Sequence, residues 1–564
     1  MEVREQTPRH LLNIVTETEE HCHGDRTTAR RSMWSIFRLT AGRPRCAAIA
    51  PAAASIAAFA ASAHKKPIML VPSDSAKQAR RRHRLHLAAS ATLLVAWAAL
   101  FATTARADDQ APDAPPGPLQ RPSLRTGKGT GHERTPPEVG LPPTEAVDAA
   151  PVERLFDDWG GLQPTLQSRG INVQFNALTE FGANVAGGTH RASSFASQIG
   201  FSTDVNWERL AGITGLSTHT IIVNRSGSNV SRSFGDNLLP VQEIYGAGGN
   251  VAFHLVSAYA QKTIDGGRLD FTFGRMNVEN DFASSSLYCG FMNNALCGDP
   301  KALPGGDIGH SAYPDATWAV RGLVRPTPDT YLESGLYEVN QGLYGNKFFR
   351  TGFRFDVSQD TGVYIPVETA WLPRLGPDEM PGHYKLGFGY NTSSTYKDFT
   401  NDLAAAGVPG FVTRTRTGNF QAWALADQML VRHGPGDDNG LIALAGFIHN
   451  DPNNTQYAHQ YFAALLDHGI WDARPQDCLG ILFTYVGVSD RLAAVQGIQR
   501  SLGLPLSNNA TGVQSHEMLL EVNYDIHVYR GVHYQPDFQY IFRPNAQANI
   551  RDAAVFGFRA RVEF

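Results

Sequence analysis

Charged and amide side chains recur at intervals of two and four residues in several short stretches: Arg321 and Arg325; Arg350, Arg354 and Asp356; Glu517, Glu521 and Asp525; Asp537 and Gln539. That spacing places them on one face of a β-strand. Guanidinium groups hold several donors in one plane and so suit vicinal hydroxyls, and carboxylates accept from the same hydroxyls. On the wall of an aqueous passage, such groups replace part of a polar solute's hydration while binding it weakly enough to release it. For each residue the plainer alternative is a solvated wall position away from any constriction.

Other chemistries find little support. His516-Glu517 begins like a zinc-protease helix, but position 520 is Leu and the segment alternates as a strand. There is no G-x-S-x-G sequence, and Ser226-Gly227-Ser228 reads as a turn. Neither catalysis, a cofactor nor a metal is expected. Cys289 and Cys297 sit eight apart in YCGFMNNALCGDP. In an exported protein this spacing reads as a disulfide closing a small loop, with a zinc pair as the alternative. Cys478 is left as a small buried thiol.

The elements that must carry these residues are strands. In the last twelve residues, Ala554, Phe556, Phe558, Ala560, Val562 and Phe564 fall on one face, and Gly557, Arg559, Arg561 and Glu563 on the other. Such alternation puts one face in an apolar medium and the other in water. The pattern repeats from Ile171 onward in segments of about ten residues separated by Gly, Asn, Asp and Pro clusters. About seventeen candidates begin near positions 171, 195, 216, 251, 268, 317, 331, 346, 361, 383, 418, 440, 460, 478, 516, 532 and 553. One should be spurious because such barrels have even strand numbers; alternation is poorest near 418 and 460. The expected fold is an all-β transmembrane antiparallel barrel of about sixteen strands, wide enough for an aqueous channel. A soluble sandwich also alternates, but it does not explain a terminal Phe strand or aromatics paired near strand ends. The hydrophobic share of 42% is compatible with either, since lipid-facing and lumen-facing residues average out.

Parity assigns inward faces. Trp318, Val320 and Val324 leave Arg321 and Arg325 inside, and Phe349, Phe353, Phe355 and Val357 leave Arg350, Arg354 and Asp356 inside. Arg275 shares parity with Phe271 and Phe273, which places it at the rim or in a loop. The segment from Asp281 to Pro304 is longer than a hairpin needs; it either folds inward to narrow the pore or is an external loop stapled against proteolysis.

Upstream, the basic run KQARRRHR (77 to 84), the apolar stretch 85 to 101 and Ala105-Arg106-Ala107 have the form of a secretory signal peptide spanning 69–107. A membrane anchor is the alternative, weakened by the stretch's shortness and by His86. Residues 1–68 then read as an extension from a mis-assigned start. Residues 108–150 form a Pro-rich disordered linker, and 151–170 a short periplasmic helical segment, before the barrel at 171–564. Cleavage after Ala107 removes 16 Lys+Arg and 7 Asp+Glu from totals of 49 and 53, leaving net −13. That acidity argues against nucleic acid.

Four stretches resemble the carbohydrate-selective porin family of Gram-negative outer membranes: DWGGLQPTLQSRGI (158 to 171), GRMNVENDF with YCGFMNNALCGDP (274 to 300), HYKLGFGYNTS (383 to 393), and HEMLLEVNYDIHVYRGVHYQPDFQYIFRPN (516 to 545). The last is the most specific, with Gln535-Pro536-Asp537 and Arg543-Pro544-Asn545. Asn545-Ala546 stands where the family often has glycines. The resemblance implies a sixteen-stranded outer-membrane barrel passing mono- and small oligosaccharides by diffusion, with a general porin or a plugged structural or adhesive barrel as alternatives. Expected partners are neutral sugars, outer-membrane lipid and, through the C-terminal Phe564, the barrel assembly machinery. A homo-trimer stays open against a monomer.

Overall fold

The computed structural model describes residues 153–564, except 157, 246–249, 308, 346–350, 395 and 435. The expected signal segment and Pro-rich linker lie outside the described residues. Alternating sequence becomes sixteen wall strands: β1 (Ile171–Ala186), β2 (Ser193–Asn206), β3 (Leu216–Gly227), β4 (Val251–Ile264), β5 (Leu269–Met276), β6 (Thr317–Thr327), β7 (Thr330–Asn340), β8 (Asp360–Trp371), β9 (Met380–Asn391), β10 (Asn419–Arg432), β11 (Gly440–Asn450), β12 (Tyr457–His468), β13 (Cys478–Val488), β14 (His516–Tyr529), β15 (Val532–Phe542) and β16 (Ala553–Glu563). Each pairs antiparallel with its neighbours, and β16 returns to β1 in the register Phe181↔Phe558, closing the barrel. Closure leaves no unpaired edge, as a lipid environment requires.

The terminal strands keep the expected faces. Phe556 is 55% exposed on the outside, whereas Val555 and Arg559 are buried inside. Outward aromatics meet across strands, with Phe538 and Phe556 centroids 4.9 Å apart and Tyr534 and Phe558 5.4 Å apart. Pairs of this kind contribute about 0.2–1 kcal/mol each and pin the register.

The poorly alternating segments near 418 and 460 are genuine strands, β10 and β12. The spurious candidate is the one near 346. Its described part, 351–359, is a connection between β7 and β8 lying against the outside of β6, where the Phe355 carbonyl accepts from Trp318 Nε1 (3.2 Å) and the two rings are 6.0 Å apart. Phe353, Phe355 and Val357 stay exposed there. A segment laid over an apolar wall acquires the amphipathic rhythm of a strand without joining the ladder.

Long connections, among them 228–250, 277–316, 392–418 and 489–515, gather at one end of the barrel; turns such as 265–268, 328–329 and 530–531 gather at the other. The 489–515 connection carries a helix, α2 (Asp490–Ser501), capped by Ser489 Oγ on the Leu492 N–H. The expected N-terminal helix is shorter than its apolar spacing suggests. It is α1 (Leu162–Ser168), preceded by Gly160 and Gly161 at φ 69° and 88°, where a side chain would be strained. Ahead of it the chain is clasped to the barrel's last strand: Leu155 N–H donates to the Glu563 carbonyl (2.8 Å), and the Phe156 and Phe564 rings stack at 6.1 Å.

Candidate functional site

The 277–316 connection between β5 and β6 turns into the lumen. Val278, Phe282, Phe291, Met292, Leu296 and Leu303 are fully buried and share one apolar cluster with the inward Tyr337, Tyr364, Trp423 and Phe462 of the wall. An irregular segment enclosed in this way needs partners for its backbone groups, since each buried one left unmatched costs about 1–3 kcal/mol. The wall supplies them. Glu521 on β14 accepts from the N–H groups of Met292 (2.6 Å) and Asn293 (3.2 Å), and Gln539 on β15 accepts from the Asn293 side chain (2.8 Å). Gln460 accepts from the Ala302 N–H and donates to the Ala295 carbonyl, while Gln421 and Asn450 donate to the Leu303 and Ala302 carbonyls. Glu368 accepts from the Ala283 N–H, Trp423 Nε1 and the Tyr331 hydroxyl.

The loop is also fastened internally. Cys289 and Cys297 form a disulfide, as their spacing suggested. Arg559, ion-paired to Glu180 at 2.9 Å, donates to the Cys289 carbonyl (2.8 Å). His310 Nε2 lies 2.7 Å from Asp299 Oδ2, both fully enclosed. Burial pushes His310 down to about 4 and Asp299 well above the usual carboxylate range, so enclosure disfavours the charged form of each. Cys478 is buried and takes no part in a disulfide, as expected.

On the β4–β9 side the inward loop stands off from the wall, leaving a cavity of about 300 Å³. Arg321 is its electrostatic centre, with Asp281 at 2.9 Å, Asp270 at 3.2 Å and Glu333 at 3.4 Å. The Tyr337 hydroxyl donates to Asp281 (2.6 Å). Lys385 donates to the Ser284 carbonyl (2.6 Å), His383 sits 2.5 Å from Asp427, and Tyr259, Tyr331 and Arg325 complete the lining. A second, narrower space of about 40 Å³ lies beside the disulfide, between Arg225, Glu243, Glu279, Tyr313, Arg559 and Arg561, and Asn280 borders both. The Arg225 guanidinium stands 4.7 Å over the Tyr313 ring. Lys301 of the same loop is pushed down to about 8 by burial. Donors and acceptors therefore alternate around the opening with little net charge.

Of the residues expected to share an inward surface, Arg321 and Arg325 line the larger cavity. Glu521, Asp537 and Gln539 do face inward but are buried beneath the loop, and Glu517 is buried nearer the long-loop end, beside Asp236 of the 228–250 connection. Asp525 also points inward, near the short-turn end, with His533 at 3.3 Å and Arg561 at 3.8 Å. Arg354 and Asp356 are corrected: they form an exposed ion pair at 2.5 Å on the external 351–359 connection, because no strand exists there to turn them inward. Arg350 lies outside the described residues. Arg275, expected at the rim or in a loop, is instead on β5 itself near its long-loop end, on the outward face, and it pairs with Glu338 at 3.7 Å. Asp270, Thr272, Glu333, His383 and Lys385 were missed, although each alternates with apolar neighbours in its strand. Asp281, on the loop, carries no such signal.

The model of the carbohydrate-selective porin, OprB family, matches residues 190–564. Porin B of Pseudomonas aeruginosa is 27% identical over 432 residues, covering 73% of this chain and 91% of that protein. The high-pH structure of Pseudomonas putida OprB superposes with a TM-score of 0.67 at 24% identity, covering 74% of this chain and 99% of that one, and it shares the fold. A closed sixteen-stranded barrel, a loop folded into its lumen and a family match over two thirds of its length converge: the chain belongs to the carbohydrate-selective porin, OprB family, and is a channel of the outer membrane.

Proposed function

We propose that neutral mono- and small oligosaccharides diffuse down their gradient through the gap between the inward loop and the β4–β9 wall, past Arg321. The observation that carries this reading is Arg321 held among Asp270, Asp281 and Glu333. A guanidinium and three carboxylates offer donors and acceptors to successive hydroxyls, yet an ion of either sign meets a like charge within one side chain's reach. Tyr259 and Tyr331 provide ring faces for the apolar side of a sugar. In this reading the signal at 69–107 directs export, the outer leaflet and inner leaflet lipids cover the apolar outside, and Phe564 presents the terminal strand to the assembly machinery. Liposome swelling with refolded protein tests the central claim. Glucose should enter quickly and a charged solute of similar size slowly; equal rates mean a general pore, and no swelling means a plugged barrel.

A further inference from the structure

At the long-loop end of the outer wall, three histidines stand in one transverse row. His449 on β11 is the direct cross-strand partner of His459 on β12; His459 pairs with Gly487 on β13, and Gly487 with His516 on β14. All three are outward-facing and half-buried. A side chain at Gly487 would collide with the His459 ring, its Cβ falling 2.3 Å from Nε2, so the glycine is what lets that imidazole lie across the third strand. Tyr485 stacks on both sides, 5.8 Å from His459 and 5.2 Å from His516. The row extends to a permanent cation: Arg543 donates to Ser515 Oγ (2.6 Å), which lies 3.4 Å from His516 Nδ1.

Long loops mark this end as extracellular, and the row's neighbours Phe420, Phe447 and Tyr461 form the aromatic girdle that sits at headgroup level. A girdle needs ring bodies with a polar tip, and Tyr or Trp would serve. Imidazole adds what these lack: a second ring nitrogen and the capacity to take up a proton, and with it a positive charge, in acidic surroundings. Asp490 at the start of α2 is the carboxylate acting on His459 and Tyr485, and Tyr461 is the other titratable neighbour. Asp552, which accepts from the Arg543 backbone N–H at 3.0 Å, is the carboxylate at the other end, so three imidazoles and one guanidinium stand in the row with a single carboxylate at each end.

We infer that this row binds the phosphate groups of phosphorylated glycolipid in the outer leaflet, fixing one such lipid against β11–β14. Chemistry and depth coincide: imidazolium and guanidinium groups donate to phosphate oxygens, and the rings lie where the headgroup begins.

The test is native mass spectrometry of the detergent-solubilised protein with added diphosphorylated lipid A or the same glycolipid enzymatically dephosphorylated. Wild-type protein should retain the phosphorylated form preferentially, and more strongly at about pH 5.5 than at about pH 8. The triple variant His449→Gln/His459→Gln/His516→Gln should lose retention by about five-fold per cation removed at the lower pH, while heat-modifiability and glucose swelling stay unchanged. Should the triple variant not refold, His459→Gln alone carries the same readout with a smaller loss. Equal retention of the dephosphorylated glycolipid, or unaltered retention by the folded variants, overturns the assignment.

Discussion

Glu521 and Met292, 229 residues apart in sequence, are joined by a 2.6 Å hydrogen bond in which the carboxylate accepts the loop's backbone N–H. The other oxygen of Glu521 accepts from the next residue, Asn293, at 3.2 Å. One wall side chain therefore fixes two consecutive peptide groups at the tip of the loop that narrows the lumen. Removing it by Glu521→Ala leaves two buried N–H groups unmatched, at about 1–3 kcal/mol each. Single-channel recording should show a larger, noisier conductance, and swelling assays should show weaker discrimination between glucose and a charged solute. An unchanged conductance would mean that the loop's apolar packing holds it without this latch.

The disulfide fastens the same loop from within. Replacing both cysteines, Cys289→Ser with Cys297→Ser, relaxes a short closed loop, a loss of about 2 kcal/mol on chain-entropy grounds. The barrel itself does not use the bond, since both sulfurs lie in the connection between β5 and β6. Heat-modifiability on gels should therefore persist while conductance fluctuations increase and protease cuts appear between 289 and 297. Loss of the folded barrel in the double variant contradicts this division of labour.

Arg321→Gln removes the guanidinium among Asp270, Asp281 and Glu333. Breaking a buried ion pair on one side costs about 3–5 kcal/mol, because the partner charges remain. Three carboxylates then face the passage without their cation. Reversal potentials across a salt gradient should shift toward cation selectivity, and glucose flux should fall. A variant with the wild type's ion preference would remove Arg321 from the selectivity-determining set.

Asp236, in the connection between β3 and β4, is fully enclosed; its Oδ1 accepts from the Leu238 N–H at 2.9 Å and the Asn545 N–H at 3.3 Å. Burial pushes its carboxyl up to about 6 from the usual 3.8. The folded state then binds the proton more tightly than the unfolded chain does, so stability is fullest below the unfolded value and declines as pH rises toward about 6. Asp236→Asn keeps the acceptor and removes the charge. Denaturant titrations should find it more stable than wild type at neutral pH, by at most about 3 kcal/mol, with the gap closing near pH 4. A gap independent of pH would assign the effect to packing.

Much of the architecture was legible in the chain. Strict alternation in β14, β15 and β16 identifies both faces because a lipid-facing position and a water-facing position tolerate different side chains, and the backbone period of two makes the assignment automatic. The same rule placed Arg321, Arg325, Glu521 and Gln539 inside, but it sent Arg275 to the rim or a loop, whereas that residue lies within β5 on its outer face. The rule failed for 351–357 because amphipathic rhythm reports the surroundings of a segment, not its hydrogen bonds; Phe355 lies against Trp318 on the outer wall outside any ladder. It ranked β10 and β12 too low because the inward loop supplies an apolar lining. Leu425 and Phe462 face inward yet are buried, so their strands carry apolar residues on both faces.

The sequence by itself therefore determined the barrel, its strand count to within one and the direction of most side chains, because these follow from local periodicity and from the medium each face meets. Only the tertiary structure decided which inward residues touch water. Glu521 and Gln539 have the same parity signature as Arg321, but the 277–316 loop packs on β14 and β15 and stands off from the β4–β9 wall around Arg321, burying the first pair and leaving the last beside the opening. That choice depends on contacts between residues more than two hundred positions apart, Met292 with Glu521 among them, and no period along the chain encodes such a contact.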